Sequence, residues 1–408
     1  MFHQKFRHWL LLACLAIPVH AQPAVVVTLS TVGDCVRAQN PELAAARLRI
    51  QEAAARVKQS GRLPNPNLET AFERDASFNE HKLEVGFTQR FPVTNRLRLE
   101  KTISSIELRA AESEVREIER QLISQARETA VKLHAIRQQQ ALLRNQNRLM
   151  RQFAQSLADN AQKGEASPLD AGQAKLDAAS LEIQSRELES EQNIHIGMLK
   201  LLLGIHSGEA IEIDGELTEP EIPHTTVKLS QRPDLQKVEL ALQAATQQIG
   251  LEKSRRYDDI EGGLFASSNR REDAPEGYYT ETMVGLSLKI PLPFWNQNTA
   301  AIEEAKIRKT RVENEALALA QKIGVEAETA QADMRQWASL AREIKGSLLP
   351  LAEQQAQATE TAYANGQTEI RTLLTAKQKY LELASSHIDA LREFHLARVR
   401  YDAALGNP

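Results

Sequence analysis

Hydrophobic and polar residues follow two different periods along this chain, and these periods predict long helices and short strands. A stretch rich in Ala, Glu, Gln and Arg, with no Pro or Gly, predicts one long helix over residues 95–163. A second stretch predicts a matching helix over residues 299–365, with a kink at Pro350. Each long helix is followed by a shorter return helix, over residues 168–203 and 370–405.

Strict alternation of apolar and polar residues marks strands ahead of each long helix. Leu83, Val85 and Phe87 alternate with polar or small residues, and the second half of the chain repeats this pattern. The partner strand of each pair alternates less cleanly. The sequence therefore predicts two β-hairpins, over residues 67–91 and 262–290.

The two halves of the chain are copies of one unit. Asn40-Pro41-Glu42-Leu43 recurs as Arg232-Pro233-Asp234-Leu235, 192 positions later. Further on, Gly164 matches Gly366 and Leu203-Gly204 matches Leu405-Gly406, each 202 positions later. The order is kept while the offset grows, as expected of a duplicated unit with loop insertions. We predict helix–strand–strand–helix–helix repeats over residues 22–205 and 231–408, joined by an acidic, Pro-containing connector over residues 206–230.

The predicted helices are too long for one compact domain. About 65 residues of helix reach about 100 Å, and such a rod is stable only when its sides are buried. The first helix of repeat one is predicted over residues 30–60, ending at Leu63-Pro64-Asn65-Pro66. The last return helix carries two apolar stripes on adjacent faces, which indicates neighbours on both sides, as in a cylinder of helices. An ordinary antiparallel bundle produces the same stripes.

The hairpins favour a membrane barrel that several chains share. Strands with one apolar and one polar face are typical of such barrels, although a water-facing sheet packed on helices alternates in the same way. Four strands cannot close a barrel alone, because known membrane barrels need at least about eight and an open edge cannot lie in lipid. Phe294-Trp295 follows the second hairpin and is predicted to anchor at the membrane–water interface; a core cluster beside Pro293 is the alternative.

The first residues predict export. Lys5 and Arg7 precede an apolar run and a small-residue cleavage pattern, so residues 1–21 are predicted to be a signal peptide. Cys14 lies in a sequence that imitates a lipoprotein cleavage box, but few apolar residues precede it. Loss of the leader makes the formal charge of −4 two units more negative, which disfavours nucleic acid as a partner. The one remaining cysteine, Cys35, excludes a disulfide within the chain.

These residues together resemble the TolC family of outer-membrane efflux channels over almost the whole mature chain. The duplicated layout, the Asn40-Pro41 and Arg232-Pro233 motifs and Leu63-Pro64-Asn65-Pro66 carry the resemblance, together with residues 290–298. Leu63-Pro64-Asn65-Pro66 and the motif at residues 290–298 look most like the heavy-metal (cobalt–zinc–cadmium) branch of the family. The resemblance implies a homotrimer with a twelve-stranded outer-membrane barrel, continuing into a long periplasmic α-helical barrel. It also implies docking to a periplasmic adaptor and to an inner-membrane resistance–nodulation–division pump.

The resemblance assigns roles to the turns between the long and return helices. These tips would contact the adaptor, through Gly164, Glu165, Ser167, Pro168, Gly366, Thr368, Glu369 and Arg371. Well-known relatives carry two acidic gate residues just past the second tip, where this chain has Thr372 and Thr375. The matching place in repeat one holds Asp170, with Asp177 two turns on. We expect Asp170 to form part of a cation-attracting constriction; the alternative is that Asp170 caps the return helix at its start.

No sequence motif points to catalysis. The phosphate-loop, nucleophile-elbow, metalloprotease and dinucleotide motifs do not occur, so we predict no enzyme activity, no cofactor and no metal site. The predicted function is the exit duct of a tripartite efflux system, with heavy-metal cations favoured as cargo and organic solutes still open. The alternatives are a periplasmic coiled-coil adaptor or scaffold without membrane strands, and a surface receptor using the hairpin loops.

Overall fold

The computed structural model describes residues 25–222, 232–273 and 275–407. The predicted signal peptide and Cys14 lie outside these residues, as does part of the predicted connector. Repeat one consists of the elements β1 (Val25–Val27), α1 (Val32–Gln39), α2 (Pro41–Gln59), β2 (Asn67–Arg74), β3 (His81–Phe91), α3 (Arg96–Gln162) and α4 (Pro168–Leu203).

Repeat two follows the short connector strand β4 (Ile211–Ile213). Its elements are α5 (Pro233–Ser254), β5 (Ile260–Asp273), β6 (Gly277–Lys289), α6 (Thr299–Glu343), a π-helical turn (Ile344–Leu348), α7 (Leu349–Ala364) and α8 (Ile370–Ala404). The order of elements in the two repeats is therefore the same from α2 and α5 onward.

The helix predicted over residues 30–60 is two helices, so this part of the prediction was wrong. The chain leaves the helical conformation at Asn40, whose φ of −65° and ψ of 121° are those of an extended residue. Pro41 imposes this conformation on the residue before it. The Asn40 side chain then caps α2 by accepting a hydrogen bond from the Leu43 N–H at 2.8 Å.

Pro350 is accommodated by a local widening of the helix. The proline lies in the first turn of α7, and the five residues Ile344–Leu348 just before it form a π-helical turn. Proline lacks an N–H and its ring conflicts with the carbonyl four residues earlier, so an unbroken α-helix would be strained here. The sequence predicts a break at this position, and the π-turn is the form that it takes.

The strands form two separate sheets. β2, β3, β5 and β6 make one antiparallel sheet in that order, so the two hairpins pair with each other through β3 and β5. The second sheet is a parallel pair of β1 and β4 that connects the start of the described chain to the connector. The sequence analysis did not predict this pair, because three-residue strands are too short for a periodic signal.

The long helix α3 is the centre of the helical region. It packs against α1, α2 and α4 of its own repeat and against α5 and α8 of the other, while α6 packs against α5 and α8. The buried apolar clusters lie at these helix contacts, and one of them includes residues of both β1 and β4. No apolar cluster of the described residues includes the four-stranded sheet. The sheet therefore stands outside the core of the protomer.

Candidate functional site: an exposed sheet, two helical tips and their junction

One face of the four-stranded sheet is apolar and open to the surroundings. The register aligns Leu68, Phe87, Leu264 and Leu286 in one row across all four strands. The next row on this face contains Thr70, Val85, Ala266 and Val284. In the row of leucines the exposed fraction rises from 51% at Phe87 to 84% at Leu286. A water-facing sheet packed on helices would bury such rows, so the alternation here does not serve a core of this protomer.

The opposite face of the sheet is polar, and some of its side chains lie directly over the backbone of a neighbouring strand. Two glycines on this face leave room for side chains of neighbouring strands, and a Cβ atom at either glycine would occupy that room. A Cβ on Gly263 would lie 2.4 Å from Ser287 Oγ, and one on Gly285 would lie 2.4 Å from the ring of Phe265. The ring of Phe265 therefore occupies the space above Gly285 that a side chain at that position would fill.

Both edges of this sheet are free within the described chain. β2 pairs only with β3, and β6 pairs only with β5. Every residue of β2 is exposed, and so is nearly every residue of β6. An unpaired edge beside an apolar face is a template for pairing with another strand. The free edges and the apolar face together define an incomplete sheet.

Phe294 and Trp295 lie on the surface just beyond β6. Their exposed fractions are 70% and 94%, and the rings contact each other edge to face with centroids 6.1 Å apart. The alternative that this pair forms a core cluster is wrong, since neither ring is buried in the protomer. Two exposed aromatic rings beside an exposed apolar sheet face match the arrangement of an interfacial girdle.

The two helical tips have the same backbone geometry. Gly164 and Gly366 adopt positive φ angles of 79° and 69°, and each lies just past the last turn of its helix. The Glu165 N–H donates to Asn160 O at 2.9 Å, and the Gln367 N–H donates to Ala362 O at 2.8 Å. This bond closes a Schellman motif, whose left-handed residue is usually glycine. The conserved spacing of 202 residues therefore has a local backbone cause at both tips.

The tips of the two repeats pack against each other. Ile370 and Leu374 at the start of α8 share a buried cluster with Leu157 of α3 and Ala174 of α4. The rings of Phe153 and Tyr363 contact each other edge to face, with centroids 6.0 Å apart. The polar tip residues around this cluster remain largely exposed; they are Glu165, Ser167, Pro168, Gly366, Glu369 and Arg371.

Three of the four predicted gate positions, Asp170, Thr372 and Thr375, lie in the first two turns of the return helices. Ser167, not Asp170, caps α4, because its side chain accepts from the Leu169 N–H at 3.2 Å. Asp170 lies within the first turn, where the helix dipole favours a carboxylate. In α8, Thr375 donates its hydroxyl to Arg371 O at 2.9 Å, and Thr372 is exposed.

Asp177 lies deeper, where α3, α4 and α8 enclose a polar groove of about 770 Å³. It accepts a hydrogen bond from Gln173 Nε2 at 2.9 Å. The charged residues that line the groove are Asp177, Glu187, Glu191, Lys377 and Glu382. The groove is therefore predominantly acidic, which the sequence analysis noted only at Asp177.

A second shared feature lies at the other end of the return helices, and the sequence analysis did not predict its contacts. Asn40 Nδ2 donates to Leu202 O at 2.7 Å, and Arg232 Nη1 donates to Ala404 O at 3.3 Å. Arg232 is buried and also pairs with Asp234 at 2.7 Å. Burial alone would raise the pKa of Asp234, but the hydrogen bonds and charge of Arg232 outweigh it and lower that pKa. The sequence signal for these contacts was the duplicated motif in which Asn40 and Arg232 each precede a proline.

Two buried histidines fix the connector to the helices. His134 Nδ1 of α3 lies 3.0 Å from Gly215 O, and His395 Nε2 of α8 lies 2.9 Å from Thr218 O. Burial lowers the pKa of both imidazoles, and the backbone hydrogen bonds offset only part of that shift. Both rings are therefore held neutral at neutral pH, and each repeat contributes one of them.

The described residues contain neither a metal-binding cluster nor a membrane-spanning helix. No group of three or more His, Cys, Asp or Glu side chains within the described ranges is arranged to hold a metal ion. None of the helices in this part of the chain combines the length and the apolar character that crossing a bilayer requires.

The fold is that of solved outer-membrane channels. The chain superposes on CusC with a TM-score of 0.78, at 18% sequence identity, covering 93% of this chain and 92% of that one. The outer membrane protein VceC from Vibrio cholerae gives 0.73 at 17% identity, covering 93% and 96%. The CmeC outer membrane channel of Campylobacter jejuni gives 0.75 at 15% identity, covering 93% and 85%. At these identities the likeness defines the fold class.

A family model matches the second half of the sequence. Residues 227–407, nearly all of repeat two, match the model of the outer membrane efflux protein family. A comparison with curated proteins gives no significant sequence match. The resemblance to the TolC family that the sequence motifs carry is therefore confirmed, through the family model over repeat two and through the fold over both repeats.

Proposed function

We propose that this chain is one subunit of a homotrimeric outer-membrane channel, the exit duct of a tripartite efflux system. The observation that carries the proposal is the four-stranded sheet with an exposed apolar face and two free edges. In water both features are unfavourable, because apolar area stays solvated and backbone groups stay unpaired. In a bilayer the apolar face is satisfied by lipid, and the edges are satisfied once they pair with neighbouring sheets.

In a closed trimer, β6 of each subunit pairs with β2 of the next, so that no strand edge is left unpaired. Twelve strands lie within the range of known membrane barrels, whereas the four strands of a single chain do not. The polar face, with Gly263, Phe265 and Gly285, then lines the pore. Phe294 and Trp295 lie where an interfacial anchor is needed, between the sheet and the start of α6. In this arrangement α3 and its neighbours extend into the periplasm as a tunnel.

The helical tips are the proposed contact with a periplasmic adaptor. Both tips lie at the same end of the protomer, packed together through Phe153 and Tyr363. Their exposed polar groups, among them Glu165, Glu369 and Arg371, present a single small surface to a partner. An inner-membrane pump of the resistance–nodulation–division type, reached through the adaptor, supplies the energy. The duct itself is passive and catalyses no reaction.

We propose that Asp170 and Asp177 attract cations at the periplasmic entrance. Asp170 lies in the first turn of α4, where a negative side chain complements the helix dipole, and Asp177 faces a groove with three further carboxylates. Heavy-metal cations are the proposed cargo, on the strength of the Leu63–Pro66 motif and the motif at residues 290–298. A duct must release ions as readily as it admits them, so weak carboxylate attraction suits this role better than a tight site.

Bilayer recordings and mass measurements test the duct. Purified protein in detergent should be a trimer, and it should produce ion conductance when added to a planar bilayer. A stable monomer that is soluble without detergent, with no conductance, would overturn the proposal. Fractionation distinguishes the periplasmic adaptor alternative, because an adaptor stays with the periplasm or the inner membrane and an outer-membrane duct does not.

The gate has its own matched test. Asp170→Asn removes a carboxylate from repeat one, and Thr372→Asp adds one at the equivalent place in repeat two. We expect the first change to lower the cation preference of the open channel and the second to raise it, measured from reversal potentials in a salt gradient. If both variants keep the wild-type reversal potential, these positions have no part in selectivity.

A further inference from the structure

We infer that the outer end of the apolar sheet face carries a binding site for the phosphate groups of an outer-leaflet lipid. The inference rests on the proposed function, which places this face in a bilayer. It starts from one row of residues that the register aligns across three strands. Arg74 of β2, His81 of β3 and Arg270 of β5 are direct neighbours in this row.

This basic row lies on the lipid-facing side of the sheet. It comes directly after the row that contains Phe72 and Leu83, and the ring of Phe72 is 6.3 Å from the ring of His81. Since side chains alternate between faces, Arg74, His81 and Arg270 point to the same side as the apolar rows. Their neighbours Lys82 and Arg271 point to the polar side. The basic row therefore borders the apolar band directly.

The distance from the basic row to the far end of β3 matches the height of the apolar band of a membrane barrel. Ten residue steps along β3 separate His81 from Phe91, which is the last apolar residue of the strand. At about 3.4 Å per step and a tilt of about 40°, this distance is about 26 Å along the membrane normal. The apolar band of outer-membrane barrels is about 25 Å tall. If Phe91 lies at one interface, the basic row lies at the headgroup level of the other.

The two arginines are held ready for an anion. Arg74 lies over the ring of Phe78 at 4.5 Å, and Arg270 lies over the ring of Tyr278 at 5.2 Å. The ion pairs of the sheet's described residues are Lys82–Glu84 and Arg90–Glu261, and neither Arg74 nor Arg270 takes part in one. Arg74 Nη2 also donates to Phe78 O at 2.9 Å, which leaves most of the N–H donors of the two guanidinium groups available.

The chemistry of the row fits a phosphorylated lipid headgroup. Arginine binds phosphate through two parallel N–H donors, and neighbouring strands place the arginines of β2 and β5 about 10 Å apart at their Cα atoms. Two carboxylates lie at this end of the sheet: Glu272, one row further out, accepts the hydroxyl hydrogen of Tyr278 at 3.4 Å, and Glu80 Oε1 accepts from the Glu272 N–H at 2.9 Å. Acyl chains below the phosphates would contact Phe72, Leu83 and the rows beyond.

The test compares lipid binding to matched charge variants. The detergent-solubilised wild type, the site variant Arg74→Gln/Arg270→Gln and the control Lys82→Gln/Arg271→Gln are titrated with bisphosphorylated lipid A, its dephosphorylated form, or inorganic phosphate. Both double variants lose two positive charges: the site variant loses them from the apolar face of β2 and β5, and the control from the polar face of β3 and β5. We expect the site variant to bind bisphosphorylated lipid about 30-fold more weakly and the control to bind within about threefold of wild type.

Three outcomes would overturn the inference. One is equal weakening in both double variants, which would mean general electrostatic attraction. The second is equal binding of the lipid with and without phosphates, and the third is full competition by millimolar inorganic phosphate. Retention of most binding by Arg74→Lys/Arg270→Lys would support the site and exclude a folding defect. Conductance of the wild type is measured in parallel: conductance without phosphate-dependent binding removes only the site, and the reverse result removes only the duct.

Discussion

The two repeats hold the end of the return helix with the same geometry and different chemistry. In repeat one, a neutral amide on Asn40 donates to the carbonyl of Leu202. In repeat two, the buried guanidinium of Arg232 donates to the carbonyl of Ala404. Both side chains satisfy a carbonyl in the last turn of a helix, which would otherwise lack an intrahelical partner. Duplication has therefore kept the backbone requirement and not the residue that meets it.

The difference has an energetic consequence. Asn40 is neutral, so its loss removes hydrogen bonds and leaves no charge behind. Arg232 is charged and buried, and it neutralises Asp234 while also reaching Glu326 at 3.2 Å. Removing one member of a buried pair leaves the other without compensation. Repeat two should therefore be the more vulnerable at this junction.

The largest expected effect is at Arg232. Arg232→Met should lower the free energy of unfolding by about 3–5 kcal/mol, because Asp234 stays partly buried without its partner. The measurement is a denaturant titration of the detergent-solubilised protein followed by circular dichroism. Arg232→Met/Asp234→Leu should regain much of the loss, since the uncompensated charge is gone. A double variant as unstable as the single one would show that burial of Asp234 is not the cause.

The glycines that end the return helices come next. Gly204 and Gly406 have positive φ angles of 70° and 81°. A Cβ at Gly204 would lie 2.3 Å from the carbonyl oxygen of Gln39, whereas one at Gly406 would lie 3.1 Å from Cγ and 3.3 Å from Cα of Arg232, which is a milder overlap. Gly406→Ala should cost about 1 kcal/mol for the left-handed backbone, and Gly204→Ala about 2–3 kcal/mol. Equal losses in the same titration would mean that the contact with Gln39 relaxes freely.

A smaller effect is expected at Asn40. Asn40→Ala removes the cap of α2 and one hydrogen bond to Leu202, and should cost about 1–2 kcal/mol. Asn40→Asp is the matched control, because aspartate also caps helices but cannot donate to the carbonyl. If Asn40→Ala destabilises the protein as much as Arg232→Met does, the proposed contrast between the repeats does not hold.

The smallest effect is a pH dependence shared by both repeats. The folded-state pKa values of His134 and His395 are lowered, so below about pH 6.5 the unfolded chain binds protons that the folded chain does not. Their contribution to stability is therefore complete above that pH and declines as the pH falls towards the folded-state values. His134→Gln should flatten the pH profile of the unfolding free energy between pH 7.5 and 5.5. A profile unchanged by His134→Gln and by His395→Gln would contradict this assignment.

The sequence was sufficient for the elements that have a long period. The helix over Arg96–Gln162 and the two hairpins follow their periods over many residues, so one atypical position does not change the prediction. The tips were also visible, because Gly164 and Gly366 end their helices through a local backbone conformation. Short features could not be predicted in this way. β1 and β4 are too short to show a period, and the break at Asn40 depends on the conformation that Pro41 imposes on a single residue.

What the sequence determined by itself is the duplicated order of elements and the two faces of each strand, since both depend on residue spacing along the chain. What only the tertiary structure decided is which groups meet. The pairing of β3 with β5 and the contact of Arg232 with Ala404 join residues that lie far apart in the sequence, and their separation carries no signal. The exposure of the apolar rows is likewise tertiary, because alternation is the same whether a sheet faces a core or lipid.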